Sequence, residues 1–241
     1  MQGLQEGWSP EQIAGRLRLE AGRRVVGPET LYRFVYESPV GRQLGLSEFL
    51  RRGKKHRTRR QGRKAHTHPI AGRRFIDQRP PQAHQRLRTG DWETDSLLFA
   101  HQQAANVLTE RLSRFLVLTK LQNRSADETA RVLQERLEGL PVASLTADNG
   151  PEHARHEAIS RALRAPFFFC HPYASWEKGT VENTNGLIRR YLPRKTDLGS
   201  VTQQDLEGIA DELNHRPRKC LGFRTPREVL LQSGGALGNR M

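Results

Sequence analysis

The chain has two cysteines, three tryptophans, four tyrosines and no long apolar run, and each shortage removes a class of protein. Cys170 and Cys220 cannot build a disulfide framework, and neither lies in a C-x-x-C pair, so a disulfide scaffold and a zinc ribbon both drop out. No stretch approaches the roughly 20 apolar residues that span a bilayer. The first residues, MQGLQEGWSPEQ, lack the basic-then-apolar order of a signal peptide. These absences predict a cytoplasmic protein with no membrane partner. Hydrophobic residues make up 35% of the 241, but they come in bunches, which predicts a lean compact core flanked by polar segments rather than a disordered chain. Acids are scarce relative to bases: 26 Asp and Glu face 40 Lys and Arg, a net charge of +14. Such an excess implies a polyanionic partner. Nucleic acid ranks ahead of an acidic membrane because no basic amphipathic helix with an aromatic face is visible.

The charge is concentrated. Between Arg51 and Gly90 stand fourteen Lys or Arg and a single acid, Asp77, in a stretch rich in Gly and Pro. Self-repulsion and a lack of apolar residues predict an extended linker over 46–89. A mere tether needs no such charge, so Arg51, Arg52, Lys54, Lys55, Arg57, Arg59 and Arg60 are expected to track a DNA backbone and release its counterions. Ahead of this arm, Ser9-Pro10-Glu11-Gln12 offers an N-cap, a Pro at the first helical position and a capping-box Gln. Gly27-Pro28-Glu29-Thr30 starts a second helix with Tyr32, Arg33 and Tyr36 on its outer side. Over 1–45 the two helices resemble the end of a helix-turn-helix unit, whose second helix enters the major groove; a plain helical hairpin fits the same pattern.

From Gly90 the pattern becomes that of a mixed α/β core. Three β-like runs (94–100, 104–109 and 114–119) are spaced as a meander. A capping box at Ser125-Ala-Asp-Glu128 opens a helix, and further strands at 142–147 and 166–170 alternate with helices at 152–163, 181–192 and 202–213. The order β-β-β-α-β-α-β-α predicts a mixed five-stranded sheet with helices on its faces, because strand-helix-strand units need parallel pairing.

In such a sheet, reactive groups gather at strand ends. Asp91, Glu93 and Asp95 share one face of the first strand, and their spacing alone does not say which matters; a solvated edge would look the same. Asp148 closes the fourth strand at Asp148-Asn149-Gly150, which also reads as an ordinary turn, since Asn and Gly tolerate positive φ. Glu182 opens a helix, where an acid also complements the helix dipole. Three carboxylates without a Cys or His cluster suit Mg²⁺ or Mn²⁺, and two such ions support in-line phosphodiester displacement.

These residues sit in G-D-W-E-T-D, L-T-A-D-N-G-P-E-H and H-P-Y-A-S-W-E-K-G-T-V-E-N-T-N-G-L-I-R-R-Y-L-P-R, with 33 residues between Asp148 and Glu182. The blocks resemble those of the bacterial insertion sequence thirty family of transposases. The C-terminal L-N-H-R-P-R-K-C-L-G-F-R-T-P-R-E-V-L is similar to the closing motif of that family. The resemblance implies a ribonuclease-H-like, retroviral-integrase-like core over 90–241. It also implies a DDE triad of Asp95, Asp148 and Glu182 that binds two Mg²⁺, with Mn²⁺ substituting. Its expected work is DNA strand cleavage and strand transfer on element ends and target duplex, in a homo-oligomeric synaptic complex associated with the bacterial nucleoid.

Asn149, Asn183 and Asn185 become candidates for positioning DNA. Asn185 and Arg189, three and seven residues beyond Glu182, share its helical face. Lys178 stands where the family carries Arg, keeping the charge but losing the bidentate fork; it too is a candidate DNA contact. Because little precedes the Ser9 helix, Ile13, Leu17 and Leu31 are expected to lack a packing partner. That shortening motivates one rival reading, a non-transposing DNA-binding regulator; a second is a nuclease of the same fold that hydrolyses without joining strands.

Overall fold

The computed structural model describes residues 2–50, 70–172 and 174–234. They form two compact units. One is built from the described residues of Met1–His66 together with His215–Pro226, the other from those of Thr67–Asn214 together with Arg227–Met241.

The first unit is helical: α1 (Gln2–Gln5), α2 (Pro10–Ala21), α3 (Pro28–Glu37) and α4 (Pro39–Gln43). The capping box read from the sequence forms, with the Gln12 amide donating to Ser9 Oγ at 3.3 Å and the Ser9 amide to Gln12 Oε1 at 2.9 Å. Leu4, Val35, Leu46 and Leu50 make a small core, with Ile13 packed against it. The expectation that α2 has no packing partner is corrected by a distant segment. The Phe223 ring lies so close to Gly15 that a Cβ there would stand 2.3 Å from it, and Gln12 Nε2 donates to the Pro217 carbonyl at 2.6 Å. His215–Pro226, expected in the catalytic core, thus belongs to the helical unit.

The second unit contains β1 (Arg74–Phe75), α5 (Pro81–Gln85), β2 (Asp91–Leu98), β3 (Ala104–Glu110), β4 (Leu116–Lys120), α6 (Ala126–Leu137), β5 (Ser144–Ala147), α7 (His156–Leu163), β6 (Phe167–Phe169), α8 (Gly179–Tyr191), α9 (Gln203–Asn214) and α10 (Pro226–Gln232). Its sheet runs β1-β6-β5-β2-β3-β4, with β2, β3 and β4 antiparallel and β5, β6 and β1 parallel to β2 through successive neighbours. This is the expected mixed sheet with helices on its faces, with a sixth strand, β1, added at one edge. The helix read over 152–163 is broken into a tight turn at Pro151–His153 and α7.

Alternation along the strands feeds two cores. Val107, Leu97, Leu118, Val181, Ile188 and Leu206 pack on one face, against α8 and α9. Trp92, Leu108, Leu133, Leu145, Ile159 and Phe167 pack on the other, against α6 and α7. Since side chains alternate with period two, Trp92 in the second core puts Asp91, Glu93 and Asp95 on the α8 face.

Residues 70–89 correct the linker reading. Ile76 and Ala83 are buried there, and several arginines have partners inside the protein. Arg79 Nη1 donates to Thr146 Oγ1 at 3.3 Å, Arg86 Nη2 to Thr180 Oγ1 at 3.3 Å, and Arg88 to Asp91 at 2.9 and 3.0 Å. Composition does not distinguish an arginine that pairs internally from one reserved for phosphate. Arg51, Arg52, Lys54, Lys55, Arg57, Arg59 and Arg60 lie outside the described residues.

Candidate functional site

Two parallel strands bring two carboxylates to one level. β2 and β5 pair Asp91 with Ser144 and Glu93 with Thr146, so the same register, carried two residues further, sets Asp95 beside Asp148 on the same face. Asp148 stands just past the carboxyl end of β5, where open α/β sheets place their reactive groups, and Asp95 lies level with it in the middle of β2. Lys178, just ahead of α8, fills the space between them: its Nζ lies 3.2 Å from Asp95 Oδ1 and 3.0 Å from Asp148 Oδ2. The lysine side chain is only 5% exposed, against 44% for Asp148. Burial alone would lower the Lys178 pKa, but the two carboxylates outweigh it and hold the ammonium well above its ordinary value. Burial likewise works to raise Asp148, and Lys178, His153 and the Gly150 amide override it, leaving the carboxyl below its usual range.

Asp95 is further fixed by Asn185 of α8, whose Nδ2 donates to Oδ2 at 2.7 Å, and by the Ser96 amide at 3.0 Å. Glu182 lies one turn before Asn185, half-buried on the face of α8 that meets β2. Arg189, one turn further, donates to the Leu98 carbonyl at 2.8 Å and stacks over Phe99 at 4.5 Å. Burial lowers its pKa. Asn183 is exposed on the same helix. Arg33 is exposed on α3, in the other unit, beside the stacked Tyr32 and Tyr36 rings.

Asp91 and Glu93 are not a solvated edge: β2 is interior to the sheet, and both are fully buried. Asp91 takes two hydrogen bonds from Arg88 and one from Ser144 Oγ at 2.5 Å. Glu93 pairs with buried Arg111 and accepts the Val181 amide at 2.9 Å. Of the three acids on this face, Asp95 alone reaches the Lys178 cluster among the described contacts. Asn149, expected to meet DNA, has both ends of its amide engaged: Oδ1 accepts from Arg73, and Nδ2 donates to the Cys170 carbonyl at 2.7 Å.

The turn after β5 is not of the expected kind. Gly150 has φ −66°, and its glycine serves space instead, since a Cβ there would stand 2.5 Å from Glu152 Oε2. Glu152 and His153 thereby fold back on Asp148; one donor atom from each of the three lies within 4.8 Å of the others. Both residues, expected at the start of a helix over 152–163, stand instead in the tight turn Pro151–His153, where no helical period applies. Cys170, its thiol pushed up to about 12 by burial, is not a nucleophile at neutral pH.

The donor set suits a hard cation. Two carboxylates already converge on one positive charge, the Lys178 ammonium, and oxygen ligands of this type bind divalent metals.

No protein-family model matches the sequence. Three curated relatives align over 95% of the chain. The transposase for insertion sequence element IS4351 of Bacteroides fragilis is 40% identical, and the match covers 71% of it. The transposase for IS1086 of Cupriavidus metallidurans is 37% identical, with 70% covered. Transposase InsI for IS30A of Escherichia coli is 34% identical, with 63% covered. Among solved structures, the catalytic core domain of BIV integrase aligns with 60% of this chain and 95% of its own at 21% identity and a TM-score of 0.48.

Proposed function

Because the chain belongs to the family of insertion-sequence transposases that includes those of the IS30 elements, we propose that Asp95, Asp148 and Glu182 are its catalytic triad. The protein is a transposase, an enzyme that cleaves DNA strands and joins them to new DNA. What supports this triad is the convergence of the Asp95 and Asp148 carboxylates on one buried cation, with Glu182 on the adjoining face of α8.

The three acids hold two Mg²⁺ ions, for which Mn²⁺ substitutes. When bound, the ions activate the attacking oxygen and stabilise the leaving one. In cleavage, a water oxygen forms a bond to phosphorus and the P–O3′ bond breaks, leaving a 3′-hydroxyl. In joining, that hydroxyl forms the new P–O bond and the target's own 3′-oxygen leaves. Asn185 keeps Asp95 oriented through its 2.7 Å hydrogen bond. Lys178 neutralises the acids that a polyanion must approach. Asn183, Arg189 and Asn149 border the cleft as DNA-positioning groups, the last through the loop that it braces.

Residues 1–45 supply a helix-turn-helix reading head with Arg33 and the Tyr32–Tyr36 pair on its outer side. The bases of 51–60 track phosphates. An element has two ends, so two copies of the chain act together in one synaptic assembly.

The test uses the full chain, a plasmid target and a duplex from the DNA flanking its own gene. Asp95→Ala, Asp148→Ala and Glu182→Ala are each expected to lose strand joining by orders of magnitude while duplex binding persists, because each removes a negative charge from the cleft. Wild-type joining by Glu182→Ala in Mg²⁺ would overturn the assignment. For the arm, the slope of log affinity against log salt, near −0.9 per phosphate contact, is expected to flatten when Arg51, Arg52, Lys54, Lys55, Arg57, Arg59 and Arg60 are neutralised. An unchanged slope would reduce it to a tether.

A further inference from the structure

The two oxygens of Asp148 face different surroundings. Oδ2 meets Lys178 at 3.0 Å, on the side of Asp95. Oδ1 accepts the Gly150 amide at 3.1 Å and lies 3.6 Å from His153 Nε2, beyond hydrogen-bond reach. His153 is 0% exposed, and neither of its ring nitrogens has a hydrogen-bond partner among the described residues. A buried imidazole without a partner is costly, and Phe167, tilted at 5.9 Å, offers it only an apolar face. Glu152 folds back over Gly150, its Oε2 2.5 Å from where a Cβ would stand. Donor atoms of Asp148, Glu152 and His153 lie within 4.8 Å of one another, close to the roughly 4.2 Å that separates opposed ligands at about 2.1 Å from one ion.

We infer that Asp148, Glu152 and His153 form a cation position of their own, with an imidazole nitrogen among its ligands, that takes a divalent first-row transition ion in preference to Mg²⁺. The inference rests on Asp148 being a metal ligand, as proposed above, and adds two residues outside the triad. All-oxygen sites suit Mg²⁺ and Mn²⁺, whereas an imidazole draws Fe²⁺ and the later ions of the series. Asp148 would then serve two positions, one oxygen to each.

Mn²⁺ is the probe. In the full wild-type chain, pulsed electron paramagnetic resonance is expected to show ¹⁴N coupling to bound Mn²⁺. His153→Phe, which keeps the ring packed on Phe167, is expected to lose that coupling and at least about tenfold in Mn²⁺ affinity, the least that a lost outer-shell partner costs. Glu152→Gln is expected to weaken Mn²⁺ binding while retaining the coupling. Mn²⁺ bound without ¹⁴N coupling, or bound equally by His153→Phe, would overturn the inference and make His153 a packing side chain. Either outcome leaves the triad standing if Asp148→Ala still abolishes joining in Mg²⁺. If Asp148→Ala joins normally, the triad reading fails instead.

Discussion

The base of β2 and its middle, level with the tip of β5, carry the same chemistry and put it to opposite uses. Asp91, Glu93 and Asp95 alternate onto one face of one strand, yet the first two are sealed and the third is shared. At the base, each acid has its own set of donors: Arg88 and Ser144 for Asp91, Arg111 and the Val181 amide for Glu93. In the middle, Asp95 divides a single lysine with Asp148 of the neighbouring strand. A carboxylate with a private cation and satisfied lone pairs holds elements together. Two carboxylates that share one charge are held at close range for a further cation. What marks the functional acid is therefore the incompleteness of its neutralisation.

The sharpest way to break this comparison is to exchange the phenotypes of Glu93 and Asp95. Glu93→Ala leaves the buried Arg111 without its carboxylate, with the Ala83 carbonyl still accepting from Nε at 3.0 Å, and removing one partner of a buried pair costs about 3–5 kcal/mol. Its unfolding midpoint in denaturant should fall accordingly. Asp95→Ala removes a carboxylate that is 21% exposed, and its stability should change by only about 1 kcal/mol, while strand joining disappears. If Glu93→Ala proves stable but inactive, and Asp95→Ala unstable but active, base and middle have been misassigned.

The difference explains what the sequence made legible. The order of elements along the chain followed from the alternation of β-like and helical periods, and the Asp148 position from its place at a strand end. The family motifs singled out Asp95 among the three acids; spacing did not, because its discriminating feature is a lysine 83 positions later. The arginines of 70–89 were misread for the same reason. Two of their partners, Thr146 and Thr180, lie in a strand and a helix whose proximity no local pattern encodes. Phe223 is a third case. It is one aromatic in a C-terminal loop, and only the close approach to Gly15 shows that it completes the helical unit. Local sequence carries periodicity and caps well, and carries long-range pairing of charges hardly at all.

A smaller effect sharpens the account of the shared pair. Lys178→Met keeps the length of the side chain and removes its charge, so Asp95 and Asp148 are left facing each other. Because Asp148 is partly open to water, the destabilisation should be about 1–3 kcal/mol, less than for Glu93→Ala. Divalent metal should restore it: the thermal midpoint of Lys178→Met should rise with Mn²⁺ or Mg²⁺ by more than that of the wild type. A variant as stable as wild type, with no added response to metal, would show that the two acids do not depend on a cation between them.

The smallest expected effect tests a third strand end. Beyond β6, His171 Nδ1 meets Glu177 at 2.9 Å, Nε2 meets Asp77 at 2.9 Å, and the ring stacks on Phe75 at 5.3 Å. By the criterion drawn from β2 this is a structural set, since the one ring has private partners on both nitrogens. The hydrogen bond to Glu177 raises the His171 pKa, and the Asp77 charge adds to it against a small opposing burial. A group raised in the fold favours the folded state while protonated, so its contribution is whole below the ordinary histidine value of 6.5 and fades as pH climbs through the higher folded value. The wild-type thermal midpoint should therefore decline slightly more across about pH 6 to 8 than that of His171→Gln. Because the ring is well exposed, the slope should be shallow and should flatten further in high salt. Parallel profiles for the two proteins would show that His171 draws nothing from Glu177 and Asp77, and the rule that private partners mark structural ions would fail at its most exposed instance.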